Sequence, residues 1–125
     1  METRQLLDVT ANDYWHYHYR FDETSNYKRK TLGSAMINNI VINTICPVLF
    51  AYGNYHNENK YKEKAINWLE QTTAESNSIT NGFVKLGIEN KNAFDSQSLI
   101  ELRTKYCNER KCLECGLGNS ILKQN

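Results

Sequence analysis

Near the end of the chain three cysteines fall close together as Cys107-x4-Cys112-x2-Cys115, with Gly116 directly after the last. Two cysteines separated by two residues can hold one tetrahedral metal ion, because a tight turn aims both sulfurs at a single point. A knuckle of this kind uses a left-handed backbone residue just past its second cysteine, and Gly116 can adopt that conformation without strain. Cys107 offers a third thiolate and Cys46 a fourth, with His56, His16 and His18 as reserve ligands. The spacing serves a structural zinc ion, or an iron–sulfur cluster with a remote fourth ligand. It equally fits cofactor-free buried thiols, since cysteine packs as a small hydrophobe, or a redox pair at Cys112 and Cys115. Arg103, Lys105, Arg110 and Lys111 would offset the charge of bound thiolates.

Disulfides are not expected. The opening residues METRQLLDVT lack a basic region followed by an apolar one, so the reading is a cytoplasmic chain without an export signal. The most apolar stretch, residues 35–52, is interrupted by Asn38, Asn39, Asn43 and Pro47 and is read as a core helix rather than a membrane span.

Other reactive side chains form weaker patterns. His16 and His18, inside YWHYHYRF, would share one face of a strand and could bind metal or relay protons. No carboxylate stands at a telling distance, so surface or interface histidines are the simpler reading. Lys28, Arg29 and Lys30 form one basic run and residues 103–111 a second, but the formal net charge is only +1. No global field therefore steers the chain to nucleic acid. Glu70, Glu75 and Asp95 make no carboxylate set, and neither a phosphate-cradling glycine loop nor a nucleophile motif is present. No catalytic constellation emerges.

The elements that must position these residues are helical. Hydrophobic residues at 40% and charged residues at 23% fit a globular chain, and 125 residues suffice for one core. Alternation in Tyr14–Phe21 predicts a strand, with a short helix from Asn12 or Asp13 as the other reading, and Asp22–Lys30 a loop. Leu32–Tyr52 is the core helix, kinked or broken by Pro47 and stopped at Gly53 and Asn54. Asn57 or Asn59 opens a helix to about Gln71, with Tyr61, Ala65, Trp68 and Leu69 inward and Glu58 paired to Lys62. Ser76–Leu86 is a third helix ended by Gly87, with Ile79, Phe83, Val84 and Leu86 on its apolar face. Asp95 or Ser96 caps a fourth through Tyr106, with Glu101 paired to Lys105, and Leu117–Leu122 adds a last helical turn. Ile40, Ile45, Leu49, Trp68, Phe83, Leu99 and Leu102 are the expected core. The fold class is all-α: one bundle-like domain of four to five helices over 1–125, with a C-terminal cysteine knuckle. Residues 1–30 form an extended or loosely packed arm.

Four stretches carry a resemblance to a known family: YWHYHYRF, LGSAMINNIVINTICPVLFAYG, NAFDSQSLIELRTKYC and KCLECGLGNSILK. Together they resemble the C-terminal part of an uncharacterised bacterial family, domain of unknown function 2851. The resemblance implies helical content, weight on Cys107, Cys112 and Cys115, and a parent protein several times longer whose N-terminal part would be the partner. It implies no mechanism. The expectation is a non-catalytic helical accessory or interaction domain organised by zinc. The alternative is a metal-bearing helical part of a nuclease-like, nucleic-acid-processing enzyme.

Overall fold

A computed structural model describes residues 2–124, and most of them are helical. The chain opens with a short helix, α1 (Glu2–Leu6), and a single helical turn, α2 (Asp13–His16). A small antiparallel ribbon follows, β1 (His18–Arg20) against β2 (Glu23–Thr24), so the strand and helix readings of Tyr14–Phe21 each hold for part of it. Asn12 ends the ambiguity by accepting the Trp15 amide, which makes it an N-cap and starts a helix before the aromatic alternation can extend.

A continuous helix then spans Ser34–Tyr55. It comprises α3 (Ser34–Ile40), a wider π-helical turn (Val41–Ile45) and α4 (Cys46–Tyr55). Pro47 does not end it. The Cys46 amide donates to the Val41 carbonyl five residues back, and this widened turn takes up the mismatch caused by proline's missing donor and bulky ring. Gly53 and Asn54 are not the stop either. The helix closes one turn later, with Asn57 in the left-handed conformation at φ 54°. There the Glu58 amide donates to the Gly53 carbonyl at 2.8 Å and the Asn57 amide to the Asn54 carbonyl at 3.3 Å. Gly53 serves a close approach instead. A Cβ there would lie 2.9 Å from the Glu58 carbonyl oxygen and 3.0 Å from the Lys62 amide nitrogen.

That approach lays α5 (Asn59–Gln71) against α4 as an antiparallel neighbour. Val41, Cys46 and Ala65 form the centre of the contact, with Ile37, Ile45, Leu49, Trp68 and Leu69 packed around them. Glu58 pairs with Lys60 at 2.5 Å rather than with Lys62, whose stem lies over Gly53.

The remaining helices are α6 (Ser78–Lys85), α7 (Ala93–Glu101), which continues into a π-helical turn (Leu102–Cys107), and α8 (Gly116–Leu122). Asn77 caps α6 with a reciprocal box: its side chain accepts the Thr80 amide, and its own amide donates to the Thr80 hydroxyl, both at 3.0 Å. Gly87, at φ 84°, ends α6 as its spacing suggested. The cap of α7 is Asn92, which accepts the Asp95 amide at 2.9 Å, rather than Asp95 or Ser96. The wider turn at Leu102–Cys107 displaces Lys105 from the Glu101 spacing, and among the described residues those two form no ion pair.

The helix ends meet in a polar knot. Buried Ser96 accepts the Glu75 amide at 2.8 Å and donates to Asn90 Oδ1 at 2.8 Å, while the Thr80 hydroxyl donates to the Glu75 carbonyl at 3.0 Å. The Ala93 amide donates to the Thr72 carbonyl at 2.9 Å.

Of the expected core, only Leu99 is fully buried. Ile40, Ile45, Leu49, Trp68, Phe83 and Leu102 are half-buried, and Val84 and Leu86 are exposed. The fully buried apolar residues are mostly small: Val41, Ile42, Cys46, Ala65, Ala93, Leu99 and Cys115. Helical spacing identifies the inward stripe but not how far a neighbour covers it.

Two glycines should respond oppositely to alanine. Gly53→Ala drives a methyl group into α5 backbone and should cost about 1–3 kcal/mol in denaturant unfolding. Gly82 lies inside α6 with open space where a Cβ would sit, so Gly82→Ala should gain about 0.5–1 kcal/mol.

Candidate functional site

The two histidines do not share a face, because the chain turns from helix to strand between them. His16 is buried at the end of α2, where its Nδ1 accepts the Lys30 amide at 3.2 Å and its ring meets Tyr27 edge-on. This bond, together with the Lys28 amide on the His16 carbonyl at 2.8 Å, fastens the returning strand of chain to α2. His18 instead donates from Nδ1 to the Tyr14 carbonyl at 2.7 Å and stacks on the Tyr14 ring, centroids 3.9 Å apart. His56 caps α4 and packs against Tyr52 and Tyr55. Each histidine has a local structural partner.

The cysteine triplet does share one place. The π-helical turn at Leu102–Cys107 is followed by a left-handed Arg110, and the Lys111 amide closes back on the Tyr106 carbonyl at 2.9 Å. The chain then reverses through Cys112 and enters α8 at Gly116, which is an ordinary first helical residue and not the left-handed one. Cys107, Cys112 and Cys115 thereby line one apolar pocket of about 300 Å³, together with Phe83, Leu102 and Tyr106. They sit on its walls. Among the described residues no three histidine, cysteine or acidic side chains converge into a group that could hold a metal ion, so the expected knuckle is not formed in this arrangement. Lys111 pairs with Glu109, which raises the lysine's pKa and lowers that of the carboxyl, so its charge is already engaged.

Cys46 lies elsewhere. It is buried between α4 and α5 and lines a different groove with Ile42, Pro47, Phe50, Ala65 and Phe94. Desolvation raises its thiol pKa, as expected of a cysteine packed as a hydrophobe.

The sequence reading overlooked the surface of the long helix. Between Lys30 and Glu58 there is no Asp, Glu, Lys or Arg. A helix mostly open to water normally carries charge on its outer face. Here only 17% of the most apolar 18-residue window within Ser34–Tyr55 is buried. Val48 is 64% exposed, Phe50 43%, Tyr52 46% and Tyr55 83%. Apolar grooves flank it on both sides: the one holding Cys46, of about 550 Å³, and another of about 500 Å³ between Thr44, Ile45, Val48, Leu49, Tyr52 and Tyr61. By length and apolar composition alone the helix could also cross a bilayer. The missing charges were visible in the sequence and were the signal to follow.

The whole molecule is under-buried to match. Its accessible surface is 9409 Å², whereas a compact monomer of 14.6 kDa has about 6,900 Å² by the usual size scaling.

These features define a helix-rich module with an uncovered apolar face and a separate three-thiol pocket. Residues 1–78, more than half of the chain, match the family described as "Protein of unknown function (DUF2851)", and the chain belongs to that family. The match includes the long helix and Cys46 and stops short of the cysteine triplet. No curated protein and no solved structure matches the chain.

Thiol labelling should separate the cysteines. Cys107 and Cys112 are exposed and should react with an aromatic disulfide reagent in the folded protein, whereas Cys46 should react only on unfolding. Because burial raises the folded Cys46 pKa, the unfolded state holds fewer protons above its own thiol pKa of about 8.5. Stability should therefore fall as pH rises through that value, and Cys46→Ala should flatten this part of the pH profile.

Proposed function

We propose that this chain is a non-catalytic helical interaction module whose docking surface is the exposed side of Ser34–Tyr55. The observation that carries this reading is the absence of charge between Lys30 and Glu58 on a helix that remains largely open. Exposed apolar patches beyond a few hundred Å² mark interaction surfaces in soluble proteins. The chain as a whole exposes about 2,500 Å² more than a compact monomer of its mass, and this face is one part of that open surface. Polypeptide suits this face better than lipid, because Asn39 and Asn43 are exposed along it. The Asn43 amide donates to the Asn39 carbonyl at 3.2 Å, but hydrocarbon would leave the remaining polar groups of both side chains without partners, whereas an interface can supply them.

At concentrations low enough to prevent association, the folded chain should enhance the fluorescence of an apolar-sensing dye. Phe50→Lys should reduce that signal while shifting unfolding stability by no more than about 0.5 kcal/mol, as at a surface position. A dilute, folded chain that leaves the dye silent would exclude the docking reading.

A second reading concerns the cysteine pocket and is favoured by three thiols lining one pocket. Zinc would draw Cys107, Cys112 and Cys115 inward from its walls as thiolates and fix the 107–116 turn, with a fourth ligand from outside the pocket. Because such binding is coupled to local folding, a chelator should lower the melting temperature, and Cys112→Ser should do the same. Elemental analysis of protein purified without added metal should find close to one zinc per chain. Metal-free protein with unchanged melting would remove this reading.

A further inference from the structure

We propose that Cys112 and Cys115 are a redox-active pair, an exposed attacking thiol and a buried resolving thiol that close an intrachain disulfide on reaction with a small-molecule disulfide. The pair is independent of the docking face and competes with zinc for the same sulfurs.

The two cysteines differ in access as such a pair requires. Cys112 is exposed and Cys115 is buried, so a reagent in solution meets the first and the second is left to react within the chain. A disulfide can bridge them only if the backbone turns, because the two Cα atoms must come within about 7 Å. That turn is present and anchored. The Glu114 amide donates to the Lys111 carbonyl at 3.1 Å, and the Asn119 side-chain amide donates to the Leu113 carbonyl. Gly118 lets the first turn of α8 lie directly on the Cys112 backbone, where any Cβ would overlap the Cys112 carbonyl. Cys115 is the N-cap of α8, so these contacts hold both cysteines in one small unit. Cys107 belongs to the preceding π-helical turn, and the left-handed Arg110 separates it from that unit.

The surroundings suit the oxidised form. The pocket that these sulfurs line, with Leu102, Tyr106, Leu117 and Ile121, contains no charged side chain. A disulfide is neutral and leaves such a lining undisturbed, whereas thiolates drawn into it would need a compensating charge.

The chemistry balances without a further reagent. The Cys112 thiolate attacks one sulfur of the small disulfide, whose S–S bond breaks and releases one small thiolate. The mixed disulfide left on Cys112 is then attacked by Cys115, which gives up its proton to the released thiolate. That bond breaks in turn, the second small thiol leaves with a proton from water, and the Cys112–Cys115 bond remains. Two protein thiols have been oxidised by two electrons, and one small disulfide has been reduced to two thiols.

The test incubates the full chain with oxidised glutathione and a metal chelator. Free thiols should fall from four to two, and dithiothreitol should restore them. Trypsin cuts after Arg110, Lys111 and Lys123, which leaves Cys112 and Cys115 in one peptide and Cys107 in another. The new bond should lie inside the first peptide. Cys115→Ser should stop at the glutathione adduct on Cys112, and Cys107→Ser should close the bond as the native chain does. Cys112→Ser, a change at an exposed position, should form no bond in that peptide and keeps the test decisive if the change at buried Cys115 disturbs α8. Closure from the adduct should be at least about tenfold faster in the folded chain than in urea, because the anchored turn holds the two sulfurs together.

A bond from Cys107 to either cysteine overturns the proposal. So does a native chain that accumulates the glutathione adduct, or closure no faster than in urea. Zinc content is measured on the same sample before the chelator is added, so the zinc reading and the redox pair stand or fall separately.

Discussion

The molecule is organised around a helix with no charged side chain, which has to be kept from water by a chain that supplies little with which to cover it. Among the described residues only one flank of Ser34–Tyr55 receives a full neighbour, α5, and that contact depends on a tight turn. The left-handed Asn57 reverses the chain, and the bare Gly53 backbone lets α5 start against α4 at van der Waals distance. Val41, Cys46 and Ala65 then close the seam. Small side chains suit it because the two backbones are already near, and bulkier ones would force them apart. The same economy leaves the opposite flank open.

With so little apolar burial, hydrogen bonding carries an unusual share of the tertiary order. Thr72, Thr80 and Ser96 are buried where α5, α6 and α7 meet; the Thr80 and Ser96 hydroxyls bond within the knot, and that of Thr72 donates to the Trp68 carbonyl of its own helix. Among the described residues no buried side-chain polar atom lacks a partner. In a low-dielectric setting such a network is stiff and specific when complete, and removing one member leaves others unsatisfied. The knot therefore holds the C-terminal helices in fixed relation to α5 without a large hydrophobic centre.

The two surface features occupy different parts of the chain. The uncharged helix falls inside the region matched to the family, and the cysteine triplet falls beyond it. The thiol pocket hangs on a local device, the left-handed Arg110 and the π-helical turn before it, and makes no use of the α4–α5 seam.

Local chemistry was legible in the residues themselves. The asparagine-rich turns, Gly87 and the apolar period of residues 59–71 placed helices close to where they lie, because caps and turns are decided within a few residues. The nearness of Cys107, Cys112 and Cys115 was legible for the same reason, through short spacing. Their separate placement around the pocket was not, since that pocket is completed by Phe83, Leu102 and Tyr106 from α6 and the turn after α7, which spacing within 107–115 does not record. Nor could alternation alone separate His16 from His18, because an N-cap at Asn12 converts half of that stretch to helix. Which side of the long helix is covered was decided by tertiary structure alone. Periodicity records that a face is apolar, whereas burial depends on whether another element arrives there, and among the described residues only α5, steered by Asn57 and Gly53, covers a full flank.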